Sequence, residues 1–184
     1  MPGETMNPAR EQDPRGAPGP VTLRPERPGD EAFLFQVYAS TREEELALTN
    51  WDGPTRAAFL DHQFRAMRRG YAGMFPEGQF SIVELDGEAI GRMVLDRAAD
   101  QIRVVDLALL PGRRNRGIGT LLMRQVCAEA ATAAKPVRLH VLKGNRALQW
   151  YSRLGFVKCG DAGIYEELEW QPAPTHVTRA PQTG

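Results

Sequence analysis

Gln101-Ile102-Arg103-Val104-Val105-Asp106-Leu107-Ala108-Leu109-Leu110 runs into Pro111-Gly112-Arg113-Arg114-Asn115-Arg116-Gly117-Ile118-Gly119, and a helical pattern opens near Thr120. The first part is rich in strand formers, with Asp106 the one acid among them. From Thr120 the period becomes helical. Leu122, Met123, Val126, Cys127, Ala130, Ala133 and Ala134 fall on one face, and Arg124, Gln125, Glu129, Thr132 and Lys135 on the other. The turn between them carries the chemistry. A helix start leaves backbone N–H groups without partners, and the helix dipole draws anions to that end. Gly117 and Gly119 put no side chain before those amides, and Arg113, Arg114 and Arg116 add positive charge suited to phosphate oxygens. A solvated basic loop with two helix-start glycines would read the same way.

Two phosphate motifs fail here. A P-loop needs Gly-Lys followed by Ser or Thr, which does not occur. The dinucleotide fingerprint needs a third Gly or Ala where this chain has Leu122. Arg114-x-x-Gly117-x-Gly119 after an apolar strand instead resembles the acyl-coenzyme A motif of the GNAT superfamily of N-acyltransferases. A second stretch strengthens the likeness. Asn145-Arg146-Ala147-Leu148-Gln149-Trp150-Tyr151-Ser152-Arg153-Leu154-Gly155-Phe156 has the Asn-x-x-Ala/Leu and Tyr-x-x-x-Gly-Phe pattern at the expected separation.

Outward from these motifs, Val21–Arg24 is expected as a first strand, with Asp30 capping a helix that buries Phe33, Leu34, Val37 and Tyr38. A short helix is expected over Arg42–Leu48, and a longer one from Thr55 to about Arg69, stopped by Gly70. Gly78–Leu85 and Glu88–Asp96 form a hairpin on Asp86-Gly87. After the central helix come a strand at Val137–Leu142, a helix at Asn145–Leu154, and strands at Phe156–Cys159 and Ile164–Trp170. The helix between the central strand and Val137–Leu142 makes those two parallel. The class is α/β: a mixed, mostly antiparallel seven-stranded sheet with one parallel splayed pair and helices on both faces. Residues 1–20 read as a disordered tail, 21–170 as the domain that the GNAT likeness covers, and 171–184 as a C-terminal tail.

The chain has 184 residues and as many Lys+Arg as Asp+Glu, 23 of each, so its overall field gives no reason to expect nucleic acid or an anionic membrane. Cys127 and Cys159 stand apart, without CxxC or metal-ligand spacing, so no metal is expected. With no signal peptide and no bilayer-length apolar run, the expected setting is cytoplasmic.

The resemblance implies an N-acetyltransferase that moves the acetyl group of acetyl-coenzyme A to a primary amine, on a small molecule or a peptide. A non-catalytic acyl-coenzyme A sensor, or a transferase for longer acyl chains, keeps the same motifs. Self-association, as a homodimer, is frequent in the family. The likeness implies that Arg114, Asn115, Arg116, Gly117, Ile118, Gly119 and Thr120 wrap the diphosphate. It implies that a bulged central strand offers backbone at Leu107, Ala108 and Leu109 to the pantetheine arm. Asn145 and Leu148 would contact that arm, and Tyr151 would protonate the departing thiolate. Asn145 is equally a helix cap, and Tyr151 equally a core residue. Asp106 is the acid nearest the splay and the candidate base, although strand alternation sets it opposite Leu107 and Leu109. Tyr38, Glu45 and Trp51 lie where the family places substrate-facing helices and loop. The acids Glu43–Glu45 are a solvated helix face or an attractor for a cationic amine, and His140 is expected in the core.

Overall fold

The computed structural model describes residues 20–173. The tails expected over 1–20 and 171–184 lie outside it, except Pro20 and the three residues 171–173. Seven strands form one sheet: β1 (Val21–Pro25), β2 (Gln79–Leu85), β3 (Glu88–Arg97), β4 (Ile102–Leu109), β5 (Val137–Leu142), β6 (Val157–Ala162) and β7 (Tyr165–Trp170). The spatial order is β1-β2-β3-β4-β5-β7-β6. Every neighbouring pair is antiparallel except β4 and β5. The α-helices are α1 (Glu31–Ser40), α2 (Glu43–Ala47), α3 (Gly53–Met74), α4 (Ile118–Thr132) and α5 (Ala147–Arg153). None is long and apolar enough to cross a membrane among the described residues.

The two sheet faces carry separate cores. Leu34 and Tyr38 of α1, Phe64 of α3 and Ile82 of β2 form one. Ile118, Leu122, Met123, Val126 and Ala130 of α4 pack on Val83, Met93, Leu95, Val104, Val137 and Leu139 to form the other, which also takes Leu148, Trp150, Tyr151 and Leu154 from α5. The strict alternation of Ile82 and Val83 to opposite faces is the two-residue period of a strand with apolar layers on both sides. The β2–β3 turn has Asp86 and Gly87 at φ 54° and 80°, the left-handed pair that a two-residue hairpin requires.

Local expectations fail at four places. Gly70 does not stop α3, which runs 22 residues to Met74. Phe64, Met67 and Tyr71 continue one apolar row through it, and packing along that row outweighs the roughly 1 kcal/mol helix penalty of a glycine. Asp30 does not cap α1: its carboxylate takes Nη1 and Nη2 of Arg24 at 2.7 and 2.8 Å and the Arg27 amide at 2.8 Å. The central helix opens at Ile118 and ends at Thr132; Ala134 leaves it with φ 51°. His140 is exposed on the bare side of β5, 3.7 Å from Glu167, because Leu139 and Val141 take the core side.

Candidate active site

β4 and β5 pair over only three residues, Ile102↔Val137, Arg103↔Arg138 and Val104↔Leu139. Beyond Val104 the strands diverge, and β5 continues on β7 alone. A bulge sits at that point. Leu95 faces Val104 and Val94 faces Asp106, so Val105 is the extra residue. The bulge shifts the alternation by one. Val104 and Leu107 therefore share the α4 face, while Asp106 is delivered to the α1/α3 face. The Leu110 amide donates to the Ile90 carbonyl of β3. Alternation then turns the backbone groups of Leu107 and Leu109 away from β3, into the V between β4 and β5. Nε of Arg114 takes the Leu109 carbonyl at 2.8 Å. The Leu107 N–H and C=O and the Leu109 N–H remain as a ladder edge with no neighbouring strand among the described residues. The Ala108 side chain is buried on the other face.

The V leads to the start of α4. Gly117 occupies the N-cap at φ 80°, with no side chain capping the helix, so the first-turn amides of Ile118, Gly119 and Thr120 keep their donors free of intrahelical bonds. Asn115, also left-handed at φ 59°, turns the chain into that corner. The Ile118 side chain is buried beneath it. The three arginines of the turn have different tasks. Arg113 pairs with Glu88. Arg114 ties the turn to the end of α1, its Nη2 donating to the Ser40 hydroxyl at 3.0 Å and to the Ser40 carbonyl at 3.2 Å. Arg116 is exposed and has no ion-pair partner among the described residues. The corner is thus electropositive through backbone amides and one exposed guanidinium, a donor set that fits a diphosphate.

The second motif faces this corner from α5. Asn145 lies before the helix, where its Oδ1 accepts from the Ala147 amide at 2.8 Å; its cap role is filled and Nδ2 is left over. Leu148 is half-buried against the α4-side core. Tyr151 packs edge-on to Phe156 with ring centroids 5.5 Å apart, and against Trp150 at 4.6 Å. Burial, and secondarily the Asp106 charge, pushes its hydroxyl well above the usual phenol range, so it keeps its proton at neutral pH.

Asp106 is less open than the sequence suggests. Its Oδ2 accepts from Nε of Arg92 at 2.6 Å, with side chains 15% and 7% exposed. Arg92 also meets Met67 sulfur and the Tyr38 ring, while its Nη1 is buried without a hydrogen-bond partner. Tyr71 of α3 borders the same small cavity, of about 20 Å³, and its hydroxyl is likewise raised by burial and then by Asp106. Of the three residues expected to meet substrate, Tyr38 is 2% exposed and lies in the core, its ring tilted against Phe64 at 5.7 Å, because the apolar stripe of α1 includes it. Glu45 is solvent-exposed and pairs with Arg42 at 3.0 Å. Trp51 is 42% exposed, edge-on to Phe59. Arg92, Tyr71 and Trp150 were not singled out from sequence. Arg92 alone had a signal, a lone cation in the apolar run Ile90–Leu95.

The model of the acetyltransferase (GNAT) domain family matches residues 76–158, the segment that holds β3, β4, the turn, α4 and α5. Over those residues this chain is similar to a GNAT acetyltransferase domain. Streptothricin acetyltransferase of Streptomyces lavendulae is 33% identical over 92 residues, 47% of this chain and 49% of that protein, so the match spans about half of the curated relative's length. Among solved structures, the PaiA N-acetyltransferase of Thermoplasma acidophilum, in complex with coenzyme A, aligns with 83% of this chain and 99% of its own. Its TM-score is 0.61 at 17% identity. A GNAT family acetyltransferase of Elizabethkingia anophelis, with acetyl-CoA bound, aligns with 82% and 97%, at TM-score 0.54 and 16% identity. At these identities the structures speak for the fold alone.

Proposed function

We propose that this domain is an N-acetyltransferase that passes the acetyl group of acetyl-CoA directly to a primary amine. The observation that carries the reading is the juxtaposition of a partnerless β4 edge, a side-chain-free helix start at one end of it, and a protonated tyrosine on α5. The first-turn amides of α4 and Arg116 would hold the diphosphate, and the Leu107 and Leu109 backbone would pair with the pantetheine arm. The thioester supplies an acyl group with a good leaving group. An N–H on the β4 edge would stabilise the developing oxyanion. Tyr151 would return a proton to the departing thiolate. Asp106 is the nearest carboxylate to the acceptor side, with Oδ1 left over from the Arg92 pair, and takes the role of base or ammonium anchor. Neither cysteine supports a covalent intermediate: Cys127 is half-buried on α4 with its thiol pushed up to about 11 by burial, and Cys159 lies on β6.

The test is release of coenzyme A thiol across a panel of amines, with streptothricin as one arm because a relative is named for it. Tyr151→Phe should lower turnover about 10²- to 10⁴-fold at unchanged acetyl-CoA affinity. Turnover equal to wild type would remove Tyr151 from the mechanism. Tight acetyl-CoA binding with no thiol release from any amine would favour a sensing module instead.

A further inference from the structure

We propose that Trp150 is a positioning residue that sets the spacing between the phosphate turn and the helix bearing Tyr151, and that Gly119 lacks a side chain in order to admit its indole. The proposal rests on the reading of the corner as the coenzyme A site. A methyl group on Gly119 would lie 3.3 Å from Cζ2 of Trp150, close enough that the indole must give by a few tenths of an ångström, and 3.5 Å from Cη2, an ordinary contact. A methyl group on Gly117, by contrast, meets nothing within 4 Å. The two glycines therefore serve different needs: Gly117 adopts a left-handed φ, and Gly119 makes room for a ring. Nε1 of Trp150 donates to Oγ1 of Thr120 at 3.1 Å, which locks α5 to the first turn of α4 in rotation as well as distance. The same indole lies 4.6 Å from the Tyr151 ring. One side chain thus spans from the amides that would face the diphosphate to the tyrosine at the thioester end.

This contrasts with the reading in which Gly119 is small so that a phosphate can approach its amide. The two separate in a double-mutant cycle of Gly119→Ala and Trp150→Ala, with Trp150→Phe added. Affinity for coenzyme A is read by calorimetry, kcat and KM by thiol release, and fold by denaturant midpoint. Gly119→Ala is expected to weaken coenzyme A binding about 10-fold with Trp150 present and less than about 2-fold in the Trp150→Ala background. Trp150→Ala should both raise KM for acetyl-CoA and lower kcat, since it loosens both ends. Trp150→Phe should recover most of the kcat, because a ring still supports Tyr151. An equal loss from Gly119→Ala in both backgrounds would overturn the proposal and return the glycine to the phosphate. Coupled losses of stability with unchanged affinity and kcat would reduce Trp150 to a core residue and overturn it as well. If the wild-type protein does not bind coenzyme A, the functional reading falls and the positioning role with it. The denaturant cycle would still measure the Gly119–Trp150 contact in that case, so the two failures can be told apart.

Discussion

Replacing Asp106 with Leu should unfold this protein more readily than any change on its surface. The substitution strands Arg92. That guanidinium is 7% exposed, its one carboxylate is Asp106 at 2.6 Å, and its remaining contacts are a thioether and an aromatic face, with Nη1 already lacking a partner. Glu26 and Tyr71 line the same small cavity, but Glu26 is already held by Arg68 and the Tyr71 hydroxyl is neutral. Removing one member of a buried pair costs about 3–5 kcal/mol, against a domain stability of about 5–15 kcal/mol. Low exposure on both sides leaves little solvent screening to discount. Urea unfolding followed by far-UV circular dichroism should show the midpoint fall by about a fifth or more of its value at unchanged slope. Arg92→Met should cost less, because Asp106 is the more exposed partner and lies beside the V, where water can hydrate it. The double variant Arg92→Met with Asp106→Leu should recover most of the loss, as apolar replacements of buried pairs do. It is also the protein in which to ask whether Asp106 takes part in acetyl transfer, since loss of activity in the single variant would be confounded with unfolding. A loss below about 1 kcal/mol in Asp106→Leu would refute the reasoning, because it would mean that the guanidinium is solvated in the native state.

Gly70→Ala should stabilise by about 0.4–1 kcal/mol, since the position is mid-helix and the new methyl meets only Met74 Cε at 3.8 Å; a melting curve checks it. Asp30 is held at about 2 by its hydrogen bonds to Arg24, below an ordinary value near 4. Its stabilising contribution is therefore complete above pH 4 and lost as pH falls from about 4 to 2. Asp30→Asn should flatten that part of the stability–pH curve in acid titrations monitored by fluorescence. Glu44 and Arg146 join α2 to the loop before α5 at 2.7 Å, but both are solvent-exposed, so Glu44→Gln should leave the denaturant midpoint unchanged within error. Cys127, pushed up to about 11, should react with iodoacetamide only slowly at pH 7 and faster as the pH approaches that value, by mass spectrometry.

The order of elements and the place of the glycine-rich corner between β4 and α4 were legible because each rests on local pattern: alternation in the hairpin strands, the change of period after Gly119, and turn chemistry at Asp86-Gly87. The helix ends were less so. Gly70 signals a stop, and only the row of Phe64, Met67 and Tyr71 against the sheet explains why the helix ignores it. Alternation set Asp106 opposite Leu107 and Leu109, and so it stands; what was not legible was its facing relative to the first half of β4. Counting residues along β4 from Ile102 puts Asp106 with Val104 in the apolar layer; the extra residue at Val105 reverses that, and no residue type marks it. Arg92 and Asp106 sit diagonally on adjacent strands, so their meeting depends on the same shift. Trp150 sat inside a recognised motif, but its contact with Gly119 joins two helices, and sequence spacing says nothing of that.

The added residue in mid-β4 has a consequence for how such a chain can change over time. An insertion or deletion in a surface loop alters length alone; the loss of one codon at position 105 would turn the rest of the strand over. The acid would be driven among leucines, those leucines would be pushed toward the aromatic layer, and the mouth of the cleft would lose its lining in a single event. Substitutions can retune this cleft gradually, whereas its reading frame along β4 can only be kept or lost whole.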